Sequence, residues 1–271
     1  MKSWEPFWTV RANAAWPALM ACALALGWGR AWPEEPLVRS LRQIKPTVVA
    51  LGTYNKRGNP VVGLYGSAFF VSADGHLVTA AHVMHTANAQ AAGGQVHAFV
   101  QGKPAREALT VSVLTVDKRH DIAILKVPGS RFPVARLGDS DRVAEGRAIA
   151  ICGYPYGWVF GLHAACQSGV VGNISPVALP ASRSADLTVE RIQALRQPFP
   201  IFQLDCTAYP GNSGAPLFLQ TTGEVVGVVN SAFVRHRKEG NSLQRVHTAI
   251  SYAIPINHAK AALKGLGVKT K

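Results

Sequence analysis

The sequence has few charged residues, and the acidic ones are the scarcer kind. Charged side chains make up 16% of the 271 residues, with 15 acidic against 28 basic residues and a net charge of +13. This charged fraction is below the usual quarter, and the hydrophobic fraction of 48% predicts a globular protein with a sizeable core. The basic residues are scattered with few aromatic residues between them. The positive charge therefore favours a soluble cationic surface over a nucleic-acid-binding one.

Cysteine is also scarce, and the four cysteines include no Cys-x-x-Cys pair, which argues against a zinc ribbon. Cys22 lies in a stretch, residues 19–22, that resembles a lipoprotein cleavage box, so lipidation there stays an open alternative. The other three are Cys152, Cys166 and Cys206. Export would permit one disulfide with an odd thiol left over, and three buried free cysteines are an equally open reading.

The N-terminal apolar stretch is too short for a typical membrane span. Lys2 and Arg11 precede an uncharged segment whose apolar core covers residues 18–26, a length that suits a secretory signal. We expect a signal peptide at 1–31, an N-terminal segment at 32–46, and a periplasmic or secreted protein with no membrane span after signal removal. An uncleaved membrane anchor is the open alternative.

From residue 47 onward, short apolar and β-branched segments alternate with glycine or proline, and long helical patterns between them are missing. This pattern predicts an all-β barrel or sandwich rather than a doubly wound α/β sheet. We expect a first barrel at about 47–131, a second at about 145–255, and a short C-terminal helix at about 256–266. Two long loops, Val177–Pro200 and Asn230–Ile250, are expected to be functional or disordered. The predicted strands are Thr47–Leu51, Gly66–Val71, His76–Ala81, Val96–Val100, Leu109–Val116, Ile122–Val127, Ala148–Cys152, Ser168–Gly172, Ile201–Asp205, Ala215–Leu219, Val225–Val229 and Ser251–Ile254.

Ser213 lies between two glycines in the stretch Pro210-Gly211-Asn212-Ser213-Gly214. Glycines let the backbone turn sharply and bring amide N–H groups close to a reacting carbonyl. A serine hydroxyl is a poor nucleophile by itself, so this interpretation needs a base and a residue that orients the base. His82, at the exit of a predicted strand, is the candidate base. Asp121 opens a predicted apolar strand, and the Nδ1–H of His82 would satisfy its carboxylate there.

Each of these residues has an ordinary structural interpretation when it is taken alone. His82 could be a structural or surface histidine, Asp121 a turn cap, and the residues around Ser213 a common glycine turn. Together they occur in the chain order histidine, aspartate, serine. That order is the one of two-barrel trypsin-like enzymes, and it differs from the orders of subtilisin and the α/β-hydrolases.

The motifs Thr79-Ala80-Ala81-His82, His120-Asp121-Ile122-Ala123 and Gly211-Asn212-Ser213-Gly214 resemble those of trypsin-fold (chymotrypsin-like) serine proteases, most closely the bacterial Deg/Htr-type branch. The resemblance covers roughly Val48–Leu266. It implies a protease domain at 47–266 with two perpendicular six-stranded antiparallel β-barrels and the active site in the cleft between them. Since the sequence ends soon after the expected final helix, we expect no PDZ domain.

The resemblance also implies the residue roles. Ser213 would be the nucleophile, His82 the base and Asp121 the residue that orients it, with the backbone N–H groups of Gly211 and Ser213 as the oxyanion hole. The implied partners are protein or peptide substrates, with no metal and no organic cofactor. Members of the branch often form trimers, and the oligomeric state of this chain stays open. The implied specificity pocket consists of Thr207, Asn230, Ser231 and Ala232.

The chain departs from the family pattern at Ala215, where the family usually has glycine, and we expect the added methyl group to leave the chemistry intact. Position 207 is not acidic, so we expect a preference for medium apolar side chains rather than basic ones. The predicted function is a serine endopeptidase, and we expect a role in envelope protein quality control. The alternatives are a catalytically silent trypsin-fold binding or chaperone-like module, and an α/β-hydrolase esterase, which the strand-rich pattern disfavours.

Overall fold

The structure is a computed structural model. It describes residues 34–58, 61–90, 95–157, 161–176, 198–230, 234–239, 242–247 and 251–270, with the backbone alone at 88–90, 234–239 and 242–247. The predicted signal peptide and most of the Val177–Pro200 loop lie outside the described residues. No helix in the described ranges has the length and apolar content needed to cross a membrane.

The helices are α1 (Pro36–Ile44), α2 (Ala81–Gln90) and α3 (Ile256–Gly265). The strands are β1 (Val48–Tyr54), β2 (Val62–Phe70), β3 (His76–Ala80), β4 (Val96–Val100), β5 (Leu109–Thr110), β6 (Ser112–Asp117), β7 (Ile122–Lys126), β8 (Ala148–Gly153), β9 (Ala165–Pro176), β10 (Pro200–Leu204), β11 (Pro216–Leu219), β12 (Val225–Val229), β13 (Val234–Glu239), β14 (Ser242–His247) and β15 (Ser251–Pro255).

The first half is one antiparallel sheet of seven strands in the order β5-β4-β1-β2-β3-β7-β6. Strands β5 and β6 both come from the predicted strand Leu109–Val116, which is interrupted at Val111. Val111 is buried, and its N–H donates to the carbonyl of Val96 over 3.0 Å. Because β5 and β6 are consecutive in the chain yet form the two opposite edges, the sheet curls towards closure. The prediction of six strands in this half counted the interrupted segment once.

The second half is a closed barrel of six antiparallel strands in the order β10-β15-β12-β11-β8-β9, as the sequence predicted. Strands β13 and β14 pair with each other in a separate hairpin, with Val234 opposite His247 and Glu239 opposite Ser242. This hairpin corrects the prediction for Asn230–Ile250, which treated the whole segment as an irregular loop. Its charged sequence lacks the alternation of apolar residues that identifies a half-buried strand.

Three groups of buried side chains form the core. One lies inside the first sheet, and one lies inside the closed barrel. The third joins the two halves, because it includes Val48 and Ile124 from the first half together with Phe218 and Ile254 from the second. Leu263 of α3 belongs to this third group. The C-terminal helix therefore packs where the two halves meet, which is also where a cleft between them would lie.

Candidate active site

His82 lies in the first turn of α2, where the chain leaves β3. The sequence predicted the strand exit but missed this helix, because no Ser, Thr, Asp or Asn stands at its start to cap it. Asp121 supplies the cap from a distance. Its Oδ1 accepts the backbone N–H of His82 over 2.8 Å, and its carbonyl accepts the N–H of Ala81 over 3.0 Å. A carboxylate is favoured there because the first amides of a helix lack partners within the helix.

The same carboxylate fixes the imidazole ring of His82. Oδ2 of Asp121 lies 2.6 Å from Nδ1 of His82, and because an ionised carboxylate only accepts, the proton is on Nδ1. In the neutral form of the ring with its proton on Nδ1, the other nitrogen, Nε2, carries no proton and can accept one. The two side chains are 38% and 27% exposed, so the pair lies at a rim and not in the core. Asp121 itself adopts φ +52°, a left-handed conformation that Asp tolerates better than most residues.

Asn230, directly after β12, is the third partner of the Asp121 carboxylate. Its Nδ2 donates to Oδ2 of Asp121 over 2.5 Å, and its backbone N–H donates to the carbonyl of Tyr252 over 2.9 Å. Burial, together with the nearby charge of Asp121, raises the pKa of Tyr252 to about 12. The two halves of the molecule therefore both hold Asp121. The sequence analysis did not find this contact, since only the position of a polar residue at the end of an all-apolar strand hinted at a buried amide.

The chain before Ser213 forms a tight turn from Tyr209 to Asn212. The N–H of Asn212 donates to the carbonyl of Tyr209 over 2.9 Å, and Gly211 has φ +99°. Proline at the second and glycine at the third position are the residues that a type II turn requires. The carbonyl of Pro210 accepts the N–H of Tyr156 over 2.8 Å. Because the peptide group is planar and trans, the N–H of Gly211 points the opposite way from that carbonyl.

Ser67, on β2 of the first half, makes four polar contacts, two of which hold the serine turn at Gly211 and Ser213. Its Oγ donates to the carbonyl of Gly211 over 2.7 Å and accepts the N–H of Tyr154 over 3.0 Å. Its N–H donates to the carbonyl of Ser213 over 2.8 Å, and its carbonyl accepts the hydroxyl of Thr79 over 2.7 Å. Ser67 is completely buried, so each of these contacts satisfies a group that water cannot reach. Ser67 was not among the site residues predicted from the sequence.

Ser213 is 5% exposed and follows the turn directly. Gly214, next in the chain, has φ +83°, and its amide donates to the carbonyl of Val229 over 2.7 Å. A methyl group added at Gly214 would overlap Thr79 and would lie 3.1 Å from the backbone nitrogen of Ala80. Thr79 and Ala80 end β3 just before His82. The glycine after Ser213 thus lets the serine turn pack against the strand end that carries the histidine.

Ala215, the departure from the family pattern, is completely buried in the barrel interior. Gly153, at the end of the neighbouring strand β8, lies beside it. A side chain at Gly153 would lie 3.0 Å from Cβ of Ala215, 2.8 Å from Oδ1 of Asn212 and 2.9 Å from Oγ of Ser67. The absence of a side chain at Gly153 provides the room for the methyl group of Ala215. The expectation that this methyl group is tolerated is consistent with that packing.

Of the four residues predicted to line a specificity pocket, the structure describes two, Thr207 and Asn230. Thr207 is partly buried and precedes Ala208, whose N–H donates to Oγ of Ser251 over 2.6 Å. The side chain of Asn230 contacts Asp121, as described above. Ser231 and Ala232 lie outside the described residues. The pocket therefore stays a prediction.

A disulfide joins Cys152 on β8 to Cys166 on β9, which are directly paired residues of neighbouring strands. Cys206 is a buried free thiol. Of the two alternatives that the sequence left open, the structure has one disulfide and one odd thiol. Gln167, beside Cys166, accepts a hydrogen bond from Nδ2 of Asn212 through its Oε1 over 3.2 Å. The disulfide thus lies next to a residue that supports the serine turn.

Comparison with known families identifies the class of protein that this fold and turn define. A family model described as "Trypsin-like peptidase domain" matches residues 66–228, which is more than half of the chain. The chain belongs to that family. The matched range includes the candidate catalytic residues His82, Asp121 and Ser213, and it ends before Asn230.

Individual relatives narrow the class to the DegP/HtrA type. The chain is 33% identical over 194 residues to a probable periplasmic serine endoprotease DegP-like of Halomonas elongata, and 31% identical over 206 residues to one of Hahella chejuensis. These alignments cover 72% and 76% of this chain but 33% and 36% of the relatives, so the chain spans about a third of their length. The structure of the HtrA-type protease AlgW with tripeptide has a TM-score of 0.61 and 22% identity, and covers 85% of this chain and 63% of that one. This structural likeness shows the fold.

Proposed function

We propose that the chain is a serine endopeptidase that hydrolyses peptide bonds in proteins or peptides. The observation that carries the proposal is the His82–Asp121–Asn230 arrangement together with Ser213 in a turn bounded by two left-handed glycines. The names of the curated relatives, periplasmic serine endoproteases, support the same activity. The named structural neighbour was solved with a tripeptide, which supports a peptide substrate.

In the proposed reaction, Oγ of Ser213 attacks the carbonyl carbon of the scissile peptide bond while Nε2 of His82 takes the hydroxyl proton. Asp121 keeps the other proton on Nδ1 and stabilises the imidazolium that forms. The backbone N–H groups of Gly211 and Ser213 would bind the negatively charged oxygen of the tetrahedral intermediate. The N–H direction that the Pro210 carbonyl imposes on Gly211 is compatible with this role.

Collapse of the intermediate breaks the C–N bond, and His82 gives its proton to the departing amine. A water molecule then attacks the acyl-enzyme, with His82 as base again, and releases the new carboxylate and Ser213. None of these reaction steps needs a metal or an organic cofactor. The predicted specificity pocket, which consists of Thr207, Asn230, Ser231 and Ala232, would bind the residue before the scissile bond, where we expect medium apolar side chains.

We further propose that the protein works in the bacterial cell envelope. The relatives are named periplasmic, and the basic, apolar N-terminal residues 1–31 are consistent with an export signal. The disulfide between Cys152 and Cys166 is of the kind that persists in oxidising compartments. Envelope protein quality control is the role that fits an exported endopeptidase of this type, and 47–266 is the domain that would carry it.

The test is reaction with an organophosphorus serine reagent, followed by intact-mass spectrometry, on the wild type and on Ser213→Ala. We expect one adduct on the wild type, none on Ser213→Ala, and casein hydrolysis by the wild type alone. Ser168→Ala, which removes an exposed serine of β9, is the matched control and should label like the wild type. A wild type that neither reacts nor cleaves casein would overturn the endopeptidase proposal in favour of a silent binding module.

A further inference from the structure

A stack of two imidazole rings lies beside the turn that carries Asp121. The ring of His120, the residue before Asp121, is parallel to the ring of His258 on α3, with centroids 3.8 Å apart and planes inclined by 15°. Phe199, just before β10, meets both rings edge-on at centroid distances of 4.7 and 5.3 Å. The reaction described above uses none of these three side chains. Their contacts tie together the first half, the C-terminal helix and the chain that enters the second barrel.

His120 is held in the stack by Asp117. Its Nδ1 lies 2.6 Å from Oδ2 of Asp117, and its backbone N–H donates to Oδ1 over 3.1 Å. Burial raises the pKa of Asp117, but the hydrogen bonds from the ring and the amide of His120 outweigh burial and leave that pKa below its ordinary value. Asp117 therefore stays ionised, accepts the proton on Nδ1 of His120, and fixes the ring plane against which His258 stacks.

His258 is surrounded by charged groups from other elements. Asp117 ends β6, His120 and Arg119 come from the turn between β6 and β7, and Asp141 comes from the 3₁₀ turn at 140–142. Burial lowers the pKa of His258, and the charges of His120 and Arg119 lower it further, against an opposite effect of the two carboxylates. The net direction is downward, so His258 is neutral at neutral pH. A neutral ring stacks on His120 without adding a positive charge beside Arg119.

We propose that His120 and His258 are positioning residues for the proposed reaction, because their stack fixes the turn that presents Asp121 to His82. This inference rests on the proposed function. Asp121 follows His120 directly and sits in a left-handed conformation that its neighbours must maintain. Its two carboxylate oxygens meet the His82 amide, the His82 ring and the Asn230 amide at the same time. A small displacement of the turn therefore breaks several of these contacts together.

The stack also makes the positioning dependent on pH. The pKa of His258 is lower in the folded protein than in the unfolded chain, so the unfolded chain binds the proton more readily. The contribution of neutral His258 to the stability of the folded protein is complete above the ordinary histidine pKa of about 6.5. This contribution is lost as the pH falls below that value. A proton on His258 would place positive charge against the His120 ring and near Arg119. The turn at Asp121 then loses the contact with α3 that holds it.

The experiment compares His258→Ala, His258→Phe and the exposed-site control His163→Phe, all in the full chain. We expect His258→Ala to lower kcat on a peptide substrate about tenfold or more with little change in KM, since misplacement near 1 Å costs up to about 100-fold. His258→Phe keeps an aromatic ring in the stack, so its kcat at pH 8 should stay within about threefold of the wild type. His163→Phe should match the wild type throughout.

The pH profile of kcat separates a positioning role from a merely structural one. In the wild type, both His82 and His258 must be neutral, so activity should fall in acid with two protons. In His258→Phe only His82 remains, and the fall should involve one proton. The inference is overturned if His258→Ala keeps wild-type kcat, or if His258→Phe keeps the two-proton fall. If His258→Ala does not fold, the His258→Phe profile decides alone. A wild type that neither labels with the serine reagent nor turns over would overturn the proposed function, and this inference with it.

Discussion

Replacement of Gly211 by alanine tests whether the turn before Ser213 builds the oxyanion site. Gly211 has φ +99°, and a methyl group there would overlap the carbonyl oxygen of Tyr154. Gly102 offers a matched control, because it also has a left-handed conformation, φ +77°, but nothing lies within reach of an added methyl group. Both variants carry the backbone cost of an L-residue in that region, about 1–2 kcal/mol. Only Gly211→Ala carries the overlap as well.

The overlap can be relieved only if the turn moves by on the order of 1 Å, which carries the N–H of Gly211 away from its position. Loss of one oxyanion donor costs about 100- to 1,000-fold in kcat, or roughly 3–4 kcal/mol of transition-state stabilisation. KM should change much less, because the donor acts on charge that develops in the transition state. We therefore expect Gly211→Ala to lose kcat by that factor, and Gly102→Ala to lose only stability.

The assay measures kcat and KM on one peptide substrate at pH 8, with urea unfolding of both variants at the same temperature. Circular dichroism checks that Gly211→Ala is folded before its kinetics are compared. A folded Gly211→Ala variant with kcat within threefold of the wild type would refute the reasoning. So would a Gly102→Ala variant that loses as much kcat as Gly211→Ala, since the backbone cost alone would then explain the result.

Three further predictions follow from the site and its surroundings. Asn230→Ala removes a hydrogen-bond donor to the Asp121 carboxylate. Because a hydrogen bond to a charged group is worth about 1.5–3 kcal/mol, kcat should fall about 10- to 150-fold. An unchanged kcat would contradict a role for this hydrogen bond in the reaction. The double variant Cys152→Ser/Cys166→Ser removes the disulfide, which joins residues at a sequence separation of 14. Urea unfolding should show that the free energy of unfolding falls by about 3 kcal/mol, and a reducing agent should cause the same loss in the wild type. Burial and the nearby charge of Asp205 raise the pKa of Cys206 to about 11. Mass spectrometry should therefore find that iodoacetamide labels Cys206 at pH 8 roughly 100-fold more slowly in the native protein than in urea. Rapid labelling of the native protein would show that the thiol is accessible.

The strands were predictable because their residues alternate or run in apolar, β-branched segments between glycines and prolines. Interruption of Leu109–Val116 was not, because a corner depends on what each piece pairs with and not on local propensity. Helix α2 was missed for a related reason. Its capping carboxylate, Asp121, lies 39 residues away from His82, and no local signal replaces it.

The predicted site residues differ in how much their surroundings could be foreseen. The sequence order of His82, Asp121 and Ser213 predicted which residues belong together. The His82–Asp121 contact was expected because a carboxylate at the start of an apolar strand needs donors, although the Asp121 side chain is 27% exposed and not buried. Asn230 and Ser67 were not foreseen as partners. Each acts through a contact across more than 100 residues, as Asn230 does with Asp121 at a separation of 109. Such contacts depend on the packed barrels and leave no periodic trace in the chain.

The four contacts of Ser67 have a consequence for how the molecule is made. Ser67 and Gly211 are 144 residues apart, so at about 5–20 residues per second the ribosome needs roughly 7–30 s to synthesise the second after the first. During that interval the residues that form β2 have been synthesised, while those of the serine turn have not. The contacts of Ser67 with Gly211 and Ser213 can therefore form only after both segments of the chain are present. The geometry of the nucleophile is in this sense completed by a residue synthesised long before it.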